Sequence, residues 1–317
     1  MWLKKDKMFS YDILNKKTDL SPKQLIQDNK LITSPQDIAD KINSTFLAKV
    51  KRIVGATSRI PMIDAVERLR TCLQKQNKST PTLNLRPINK VILRRLVSQM
   101  KGGRSSGIDA IDSYSIKIAA PLIEDALLHL INLSIKNGFP SIWKTQLIHP
   151  LHKKGDKTNG ENFRPVSHIA ELSKLVEYAV LEQIMAHFED NDLFHRNHHG
   201  FLPNRNTTTT ILQIYDNWLK SAERKEINAT VFIDMSSSFD VINHSILLQK
   251  LSLYGFSEEA VGFFRSYLAN RVEFVQVQHK FSSPEHIGDQ GITQGSSLGP
   301  VAFLVYMNDL PGHSEDG

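Results

Sequence analysis

The segment from Ala229 to Asp240 constrains the fold of this 317-residue chain more than any other. Residues 229–233 are apolar or β-branched at almost every position, which is typical of a buried strand. Asp234 follows at once, and Asp240 lies six residues further on. A carboxylate at the end of a buried strand is costly unless a positive group lies beside it. The segment therefore predicts a metal site, a general-acid pair, or only a strand end and a turn before the next helix.

Helical periodicities and short strand-like runs alternate along the rest of the chain. The pattern predicts helices at residues 37–50, 89–100, 113–137, 171–191, 207–225, 245–254, 257–268 and 299–310. It predicts strands at residues 146–152, 163–166, 229–233 and 272–278. Because helices lie between strands throughout, the predicted fold class is α/β (α+β).

The cysteine count, the N-terminal sequence and the length of the apolar runs limit where in the cell this protein is expected. The single cysteine, Cys72, excludes a disulfide framework. The N-terminus carries no apolar core of the kind that a signal peptide has. The longest clean apolar run, Val301–Met307, is far shorter than the roughly 20 residues of a membrane span. We therefore expect an intracellular protein of the nucleus or cytoplasm that is not secreted and has no membrane partner.

A basic tract without acidic residues lies between Glu67 and Asp109. It holds ten bases: Arg68, Arg70, Lys75, Lys78, Arg86, Lys90, Arg94, Arg95, Lys101 and Arg104. Such a field attracts phosphate chains and releases counterions on binding. The tract predicts a surface that faces nucleic acid, although a solvated, partly flexible linker would have the same composition.

Two further segments could bind phosphate. A predicted hairpin, residues 146–166, carries Lys153 and Lys154 at its tip and Arg164 on its return strand, so it could clamp a triphosphate or be only a solvated turn. Gln294 and Gly295 lie in a glycine-rich turn just before a helix. Free backbone N–H groups at such a start bind anions, but glycine-rich helix starts are also common without a ligand.

Taken in order, these segments resemble the reverse transcriptases of non-LTR retrotransposons, the LINE-like elements of the jockey type. The similar segments read LITSPQDIADKINSTF, KGGRSSGIDAI, WKTQLIHPLHKKGDKTNGENFRPVSHIAELSKLVE, HHGFLPNRNTTTTIL, VFIDMSSSFDVINHSILLQKL and GITQGSSLGPVAFLVYMNDLP. The fifth resembles the family's palm motif A, and the sixth resembles its motif B. The resemblance covers roughly residues 31–311.

The resemblance implies a right-hand polymerase fold and an RNA-directed DNA polymerase activity. By this likeness residues 1–85 would be a helical linker region that follows an endonuclease, residues 86–227 the fingers with an N-terminal extension, and residues 228–317 a partial palm. The family's two-metal mechanism, with Mg²⁺ or Mn²⁺, moves a dNMP to a primer 3′-hydroxyl.

The resemblance also assigns roles to single residues. Asp234 matches a catalytic, metal-binding aspartate, and Phe239 matches the aromatic under the incoming sugar. Gln294 matches the glutamine beside the nucleotide and template base, and Gly295 follows it. The triphosphate would meet Lys153 or Lys154 together with Arg164. The residues expected at the RNA template and DNA primer are Arg94, Arg95, Lys101, Arg104 and Arg205.

One family element is not found in this sequence. The family's other two metal-binding aspartates lie in a hairpin that reads Tyr/Phe-Ala-Asp-Asp, and the chain contains no Asp-Asp dipeptide. We therefore expect the rest of the palm, the thumb and the upstream endonuclease to be missing partners, and this chain to be inactive alone. A non-catalytic nucleic-acid-binding derivative of such an element is the alternative.

Overall fold

The computed structural model describes residues 21–27, 30–57, 62–75, 80–103, 106–235 and 237–310. Its strands are β1 Leu25–Gln27, β2 Lys30–Ile32, β3 Thr145–His152, β4 Phe163–His168, β5 Val272–Val277, β6 Lys280–Phe281 and β7 Glu285–His286. Its helices are α1 Pro35–Thr57, α2 Met62–Lys75, α3 Lys90–Gln99, α4 Ser113–Asn137, α5 Glu171–Asp190, α6 Thr207–Glu223, α7 His244–Leu253, α8 Glu258–Leu268 and α9 Gly299–Met307. Short 3-10 turns occupy Ser141–Trp143 and Gly160–Asn162.

The main sheet joins the predicted hairpin to a strand more than a hundred residues away. Its order is β4-β3-β5-β6, and β7 also pairs with β5. β3 and β4 are antiparallel, with Leu151 opposite Arg164. β3 and β5 are parallel, with Leu147 opposite Phe274. This parallel pairing brings the hairpin beside the chain that leads into the glycine-rich turn.

Helix α1 covers one face of this sheet. A small core forms where apolar residues of β1 and α1, including Ile38 and Ile42, meet Ile148, Val275 and Val277 of the strands. The spacing of Ile38, Ile42 and Phe46 places all three on one side of the helix. The N-terminal part of the chain therefore packs onto the sheet.

A larger core lies among helices that come both before and after the hairpin in the chain. It buries residues of α3, α4, α5, α7, α8 and α9, with Phe188, Tyr254 and Phe264 among its largest side chains. Helix α4 is long and apolar enough to cross a membrane by length and composition alone. Only 22% of its apolar window is buried: Leu127 and Ile131 lie in this core, whereas Leu122 is 88% exposed.

Most predicted elements are confirmed, but the strand predicted at residues 229–233 is wrong. These residues have no strand assignment, and Val231, Phe232 and Ile233 are 80–85% exposed. A strand is stabilised by ladder hydrogen bonds to a neighbour. No strand of the described residues pairs with this segment, so its β-branched sequence alone does not make it a strand. Asp234 is accordingly exposed rather than placed at a buried strand end.

The predicted mixed α/β class is confirmed. The assignment of fingers and palm, with boundaries at residues 85 and 227, stays a prediction.

Candidate nucleotide-binding site

Two segments that the sequence separates by about fifty residues are joined by backbone hydrogen bonds. The N–H of Ile292 donates to the carbonyl of Phe239 at 2.9 Å, and the N–H of Gly291 donates to the carbonyl of Ile242 at 2.8 Å. The N–H of His244 donates to the carbonyl of Asp289 at 3.1 Å. Residues 239–244 and 289–292 therefore form one structural unit, which we call the clasp.

The clasp fixes the side chain of Gln294. Its Nε2 donates to Oδ1 of Asp240 at 2.9 Å. A carboxylate can only accept, so the amide must turn its NH₂ group toward Asp240. The amide oxygen of Gln294 is then the atom left for another partner. Asp240, which the sequence left as a metal ligand, a member of a general-acid pair or a turn residue, thus orients the predicted nucleotide-binding glutamine.

The predicted sugar-stacking residue Phe239 belongs to an aromatic cluster beside the clasp. Its ring stacks on Phe303 of α9, with centroids 4.7 Å apart and planes at 22°. Phe201 meets both rings edge-on. Such contacts hold Phe239 in place, so its ring face toward Phe303 is already occupied.

Gly295 brings the glycine-rich turn against the return strand of the hairpin. Its φ is +84°, and a Cβ there would lie 3.0 Å from the carbonyl oxygen of Ser167. Both the left-handed backbone and this close approach favour glycine. The predicted residues Gln294 and Gly295 are thereby brought to the same edge of the sheet as β4.

The hairpin tip presents its cations to solvent. Lys153, Lys154 and Arg164 are all exposed. The turn itself is built by Gly155, at φ +81°, and by Asn162, whose Nδ2 donates to the carbonyl of Asp156 at 2.9 Å. The three cations are free to turn toward a polyanion, and their role in triphosphate binding stays a prediction.

The predicted metal ligand Asp234 stands outside any acidic cluster. Among the described residues, no group of three or more His, Cys, Asp or Glu side chains could hold a metal ion. Asp240 is engaged by Gln294. The residues that the structure describes therefore do not fit a two-metal centre around Asp234.

The residues predicted to contact nucleic acid differ in their surroundings. Both nitrogens of one edge of Arg94 donate to Glu124, at 2.5 and 2.8 Å, and Arg95 forms a similar pair with Glu182. These glutamates neutralise part of the basic tract. Lys101 is exposed, and Arg104 lies outside the described residues.

Arg205 stabilises the loop of residues 196–205 through hydrogen bonds to its backbone. Its Nη1 donates to the carbonyls of Arg196 at 2.9 Å and His198 at 2.5 Å. The role of these predicted nucleic-acid contacts stays a prediction.

The sequence reasoning missed the groups that hold helix α9. Glu177 of α5 is fully buried, and one of its oxygens accepts from the backbone N–H groups of Ser297 and Leu298 at the start of α9. At the other end, Asn308 donates to the carbonyl of Leu193, and Asp309 pairs with Lys250. The sequence LVEYAV places Glu177 among apolar residues of a helix, and this pattern could have predicted a buried, hydrogen-bonded glutamate.

A cavity of about 310 Å³ lies beneath the clasp, between α1, the sheet and the glycine-rich turn. Glu273 and Gln146 line it, and Nε2 of Gln146 donates to Glu273 at 2.9 Å. Burial raises the pKa of Glu273 to about 7, because the charged form loses water. Nothing in the local sequence pattern predicted this cavity, since its walls come from distant segments.

Comparison with protein families places residues 151–316, just over half of the chain, in the family described as reverse transcriptase (RNA-dependent DNA polymerase). The matched range includes the hairpin return, the clasp and α9.

Individual relatives point the same way. The chain is 30% identical over 238 residues to the probable RNA-directed DNA polymerase from transposon BS of Drosophila melanogaster, covering 73% of this chain and 26% of that protein. It is 27% identical over 233 residues to the RNA-directed DNA polymerase from mobile element jockey of the same species, covering 72% and 25%. The X-element polymerase is 25% identical over 230 residues. The chain thus spans about a quarter of the length of these relatives.

Proposed function

Because the chain belongs to the reverse transcriptase family, we propose that it is the nucleotide-selecting part of an RNA-directed DNA polymerase from a non-LTR, jockey-like retrotransposon. Its substrates would be dNTPs, with an RNA template and a DNA primer as partners. In this proposal residues 86–227 are the fingers with their N-terminal extension, and residues 228–317 are part of the palm. The observation that supports it most is the clasp, because it places Phe239 and Gln294 in one rigid site.

The geometry suggests how the clasp would handle a nucleotide. The amide oxygen of Gln294, set by Asp240, would accept a hydrogen bond from a hydroxyl or amino group of the substrate. Phe239, packed on Phe303, would limit the space beside the sugar. The hairpin cations Lys153, Lys154 and Arg164 would contact the triphosphate by charge. Nucleotide selection would therefore depend on the held side chains of Gln294 and Phe239, and phosphate binding on the exposed cations of the hairpin.

Divalent metal ions are the general cofactors of this family, and we propose two Mg²⁺ or Mn²⁺ ions for the complete polymerase. Such ions lower the pKa of the attacking hydroxyl and neutralise the leaving phosphate. Asp234 would be one ligand. The described residues gather no group of three acidic or metal-ligating side chains, so no catalytic step is assigned to this chain's own carboxylates.

The experiment uses the whole chain with a labelled DNA primer on an RNA template. We expect selective, salt-sensitive binding of this hybrid over duplex DNA, with the primer left unextended in Mg²⁺ or Mn²⁺ and dNTPs. Equal binding to both duplexes would contradict the proposed function. Extension that Asp234→Asn abolishes would instead show that this chain is catalytic alone.

The alternative is a nucleic-acid-binding derivative without catalysis, and the exposed, isolated position of Asp234 favours it. The two functions separate at this residue. Only the polymerase needs Asp234. When the chain is joined to the palm and thumb of a related polymerase, Asp234→Asn should abolish primer extension if the polymerase function holds. A joined chain that binds the hybrid but extends no primer, with or without Asp234, would favour the binding role.

A further inference from the structure

Arg271, just before β5, is a buried cation held rigidly on three sides. It is 4% exposed. Its Nη1 donates to the carbonyl of Tyr267 at 2.7 Å. Its guanidinium lies over the rings of Tyr267 and Phe139, at 4.9 and 5.7 Å from their centroids. The side chain is therefore pre-oriented and does not need to order on binding.

The remaining edge of this guanidinium is unused. Neither Nε nor Nη2 of Arg271 has a hydrogen-bond partner in the described part of the chain. The same two nitrogens of Arg94 grip both oxygens of Glu124. That edge is a two-pronged donor that fits two oxygens of one carboxylate or phosphate. A buried guanidinium with this edge empty is costly, so the fold prepares it for an oxyanion.

No carboxylate of the described residues fills that edge. Arg271 forms no ion pair within the described residues. Glu177 is the acid on which it acts electrostatically, but one oxygen of Glu177 caps α9 and the other has no partner. A second buried cation, Lys144, lies near enough that Arg271 adds to the lowering of its pKa, after burial. The surroundings of Arg271 therefore favour an added anion.

Arg271 lines the cavity beneath the clasp, and the cavity suits an anion of some size. Lys49 and Lys51 of α1 also line it, as does Thr293, whose buried hydroxyl has no partner among the described residues and can donate to an anion. The free amide oxygen of Gln146, which also lines it, can only accept and adds nothing to anion binding. Its volume of about 310 Å³ is several times the ~30 Å³ that one water occupies in the liquid.

Two acidic residues, Asp240 and Glu273, also line the cavity and oppose the binding of an anion. Asp240 is engaged by Gln294, and burial leaves Glu273 partly protonated near neutral pH. The balance of charge that faces the cavity stays positive.

We propose that Arg271 anchors a second phosphate site, inside this cavity and separate from the hairpin cations Lys153, Lys154 and Arg164. The phosphate would come either from a nucleoside triphosphate or from the backbone of a bound nucleic acid. The inference rests on the proposed function only in naming a nucleoside triphosphate or a nucleic acid as the source of the phosphate.

The test measures binding of tripolyphosphate, dTTP and a short RNA–DNA hybrid to the whole chain. Arg271→Lys keeps the charge but removes the two-pronged edge, so tripolyphosphate binding should weaken about tenfold or more. Arg224→Lys is the matched control, because Nε and Nη2 of Arg224 already meet Glu226 and the residue has no assigned binding role, and it should change binding less than about twofold. Equal binding by Arg271→Lys and the unaltered chain would overturn the proposal.

Thermal unfolding distinguishes a variant that has lost its phosphate site from one that folds poorly. Tripolyphosphate should raise the melting temperature of the unaltered chain more than sulfate does at equal ionic strength. Lys49→Gln, at a position of intermediate exposure, should reduce that protection. If Arg271 merely reaches Glu177 through a water, Arg271→Lys will lower the melting temperature while tripolyphosphate protects nothing, and the proposal fails.

The probes also separate the two phosphate sources and the two proposals. A loss of dTTP binding in Arg271→Lys with hybrid binding retained assigns the site to the nucleotide, and the reverse assigns it to the backbone. If the unaltered chain binds tripolyphosphate through Arg271 but does not prefer the hybrid, the site stands and the polymerase function fails.

Discussion

Two ionisable side chains of the main sheet, the buried Glu273 and the half-buried His168, respond to pH in opposite directions. Burial raises the pKa of Glu273 from 4.5 to about 7. Burial, with help from His149 and Lys174, lowers the pKa of His168 from 6.5 to about 4. The folded state therefore binds an extra proton at Glu273, and lacks one at His168, over overlapping pH ranges. Their effects on stability partly cancel in the unaltered chain.

In Glu273→Gln, only the effect of His168 on the pH dependence of the unfolding free energy should remain. Because the folded pKa lies above the unfolded value, Glu273 destabilises the fold as pH rises from about 4.5 to 7, by up to about 3 kcal/mol. The variant lacks this loss, so its advantage in free energy of unfolding should grow from pH 5 to pH 8. Urea unfolding at both values measures it. His168→Gln is the control, because its relative gain should instead grow in acid, and parallel stability curves for all three chains would contradict the argument.

Gly291 tests the clasp at a single residue. Its φ is +83°, and a Cβ would lie 2.8 Å from the carbonyl oxygen of Asp240. Gly291→Ala should therefore cost about 2–4 kcal/mol of unfolding free energy, from backbone strain and the clash. Gly262→Ala in α8 is the control, because a Cβ there meets nothing within 4 Å. It should be neutral or gain up to about 1 kcal/mol, and equal losses in urea unfolding would refute the role of Gly291.

At the scale of elements, helix α9 is held at both ends by buried charge. Glu177 binds backbone N–H groups at its start. Lys250 of α7 pairs with Asp309 just beyond its end, with side chains 5% and 6% exposed. A buried carboxylate near helix N–H groups also suits the positive end of the helix dipole. These contacts fix the helix that carries Phe303, and through it the ring of Phe239.

A double-mutant cycle on Lys250 and Asp309 measures this clamp. Lys250→Met or Asp309→Leu alone leaves one buried charge without its opposite charge in this pair and should cost about 3–5 kcal/mol. The double variant should be much less destabilised than the sum, because no lone charge remains. The exposed pair Lys220–Asp216 is the control and should contribute under about 1 kcal/mol. Additive losses at Lys250 and Asp309 would mean that the pair does not act as a unit.

The helices and the hairpin could be predicted because their signals are local. Asn89, Asp112 and Asn206 cap helices that the periodicity indicates. The exposed segment 229–233 has an equally clear β pattern, but a strand also needs a neighbouring strand to pair with. Local sequence does not determine whether that neighbour is present. Helix α2 was missed although Val66 and Leu69 are buried at helical spacing.

The candidate site could be predicted only in part, for the same reason. Phe239, Gln294 and Gly295 were named from the resemblance and are brought together by the fold. Arg271 and Glu273 were not, because their burial arises from contacts between segments that are distant in sequence. The identity of a residue in or beside a strand does not predict which distant segments will pack over it.

At the scale of the whole molecule, a large apolar surface stays open to solvent. Helix α6 has no buried residue. Its exposed apolar side chains include Ile211, Tyr215 and Trp218, and the exposed segment 231–233 follows nearby in the chain. Exposed apolar patches of this kind favour self-association.

Phe232→Ser should therefore reduce concentration-dependent light scattering of the purified chain. Phe232 is 80% exposed, so the change should leave the melting temperature unaltered. Phe188→Ala removes a fully buried ring and should instead cost about 3–5 kcal/mol. If scattering were unchanged in Phe232→Ser, another surface would have to drive association.

The packing of α1 on the sheet also bears on how the chain folds during synthesis. The apolar stripe of α1, residues 38–46, rests partly on Val275 and Val277, which leave the ribosome more than two hundred residues later. At cellular rates of translation that delay is on the order of tens of seconds. Through that time the stripe has no complete partner, and contacts so distant in sequence also form slowly. The nascent chain would therefore expose the apolar stripe of α1 to water, and to other apolar surfaces, until β5 emerges.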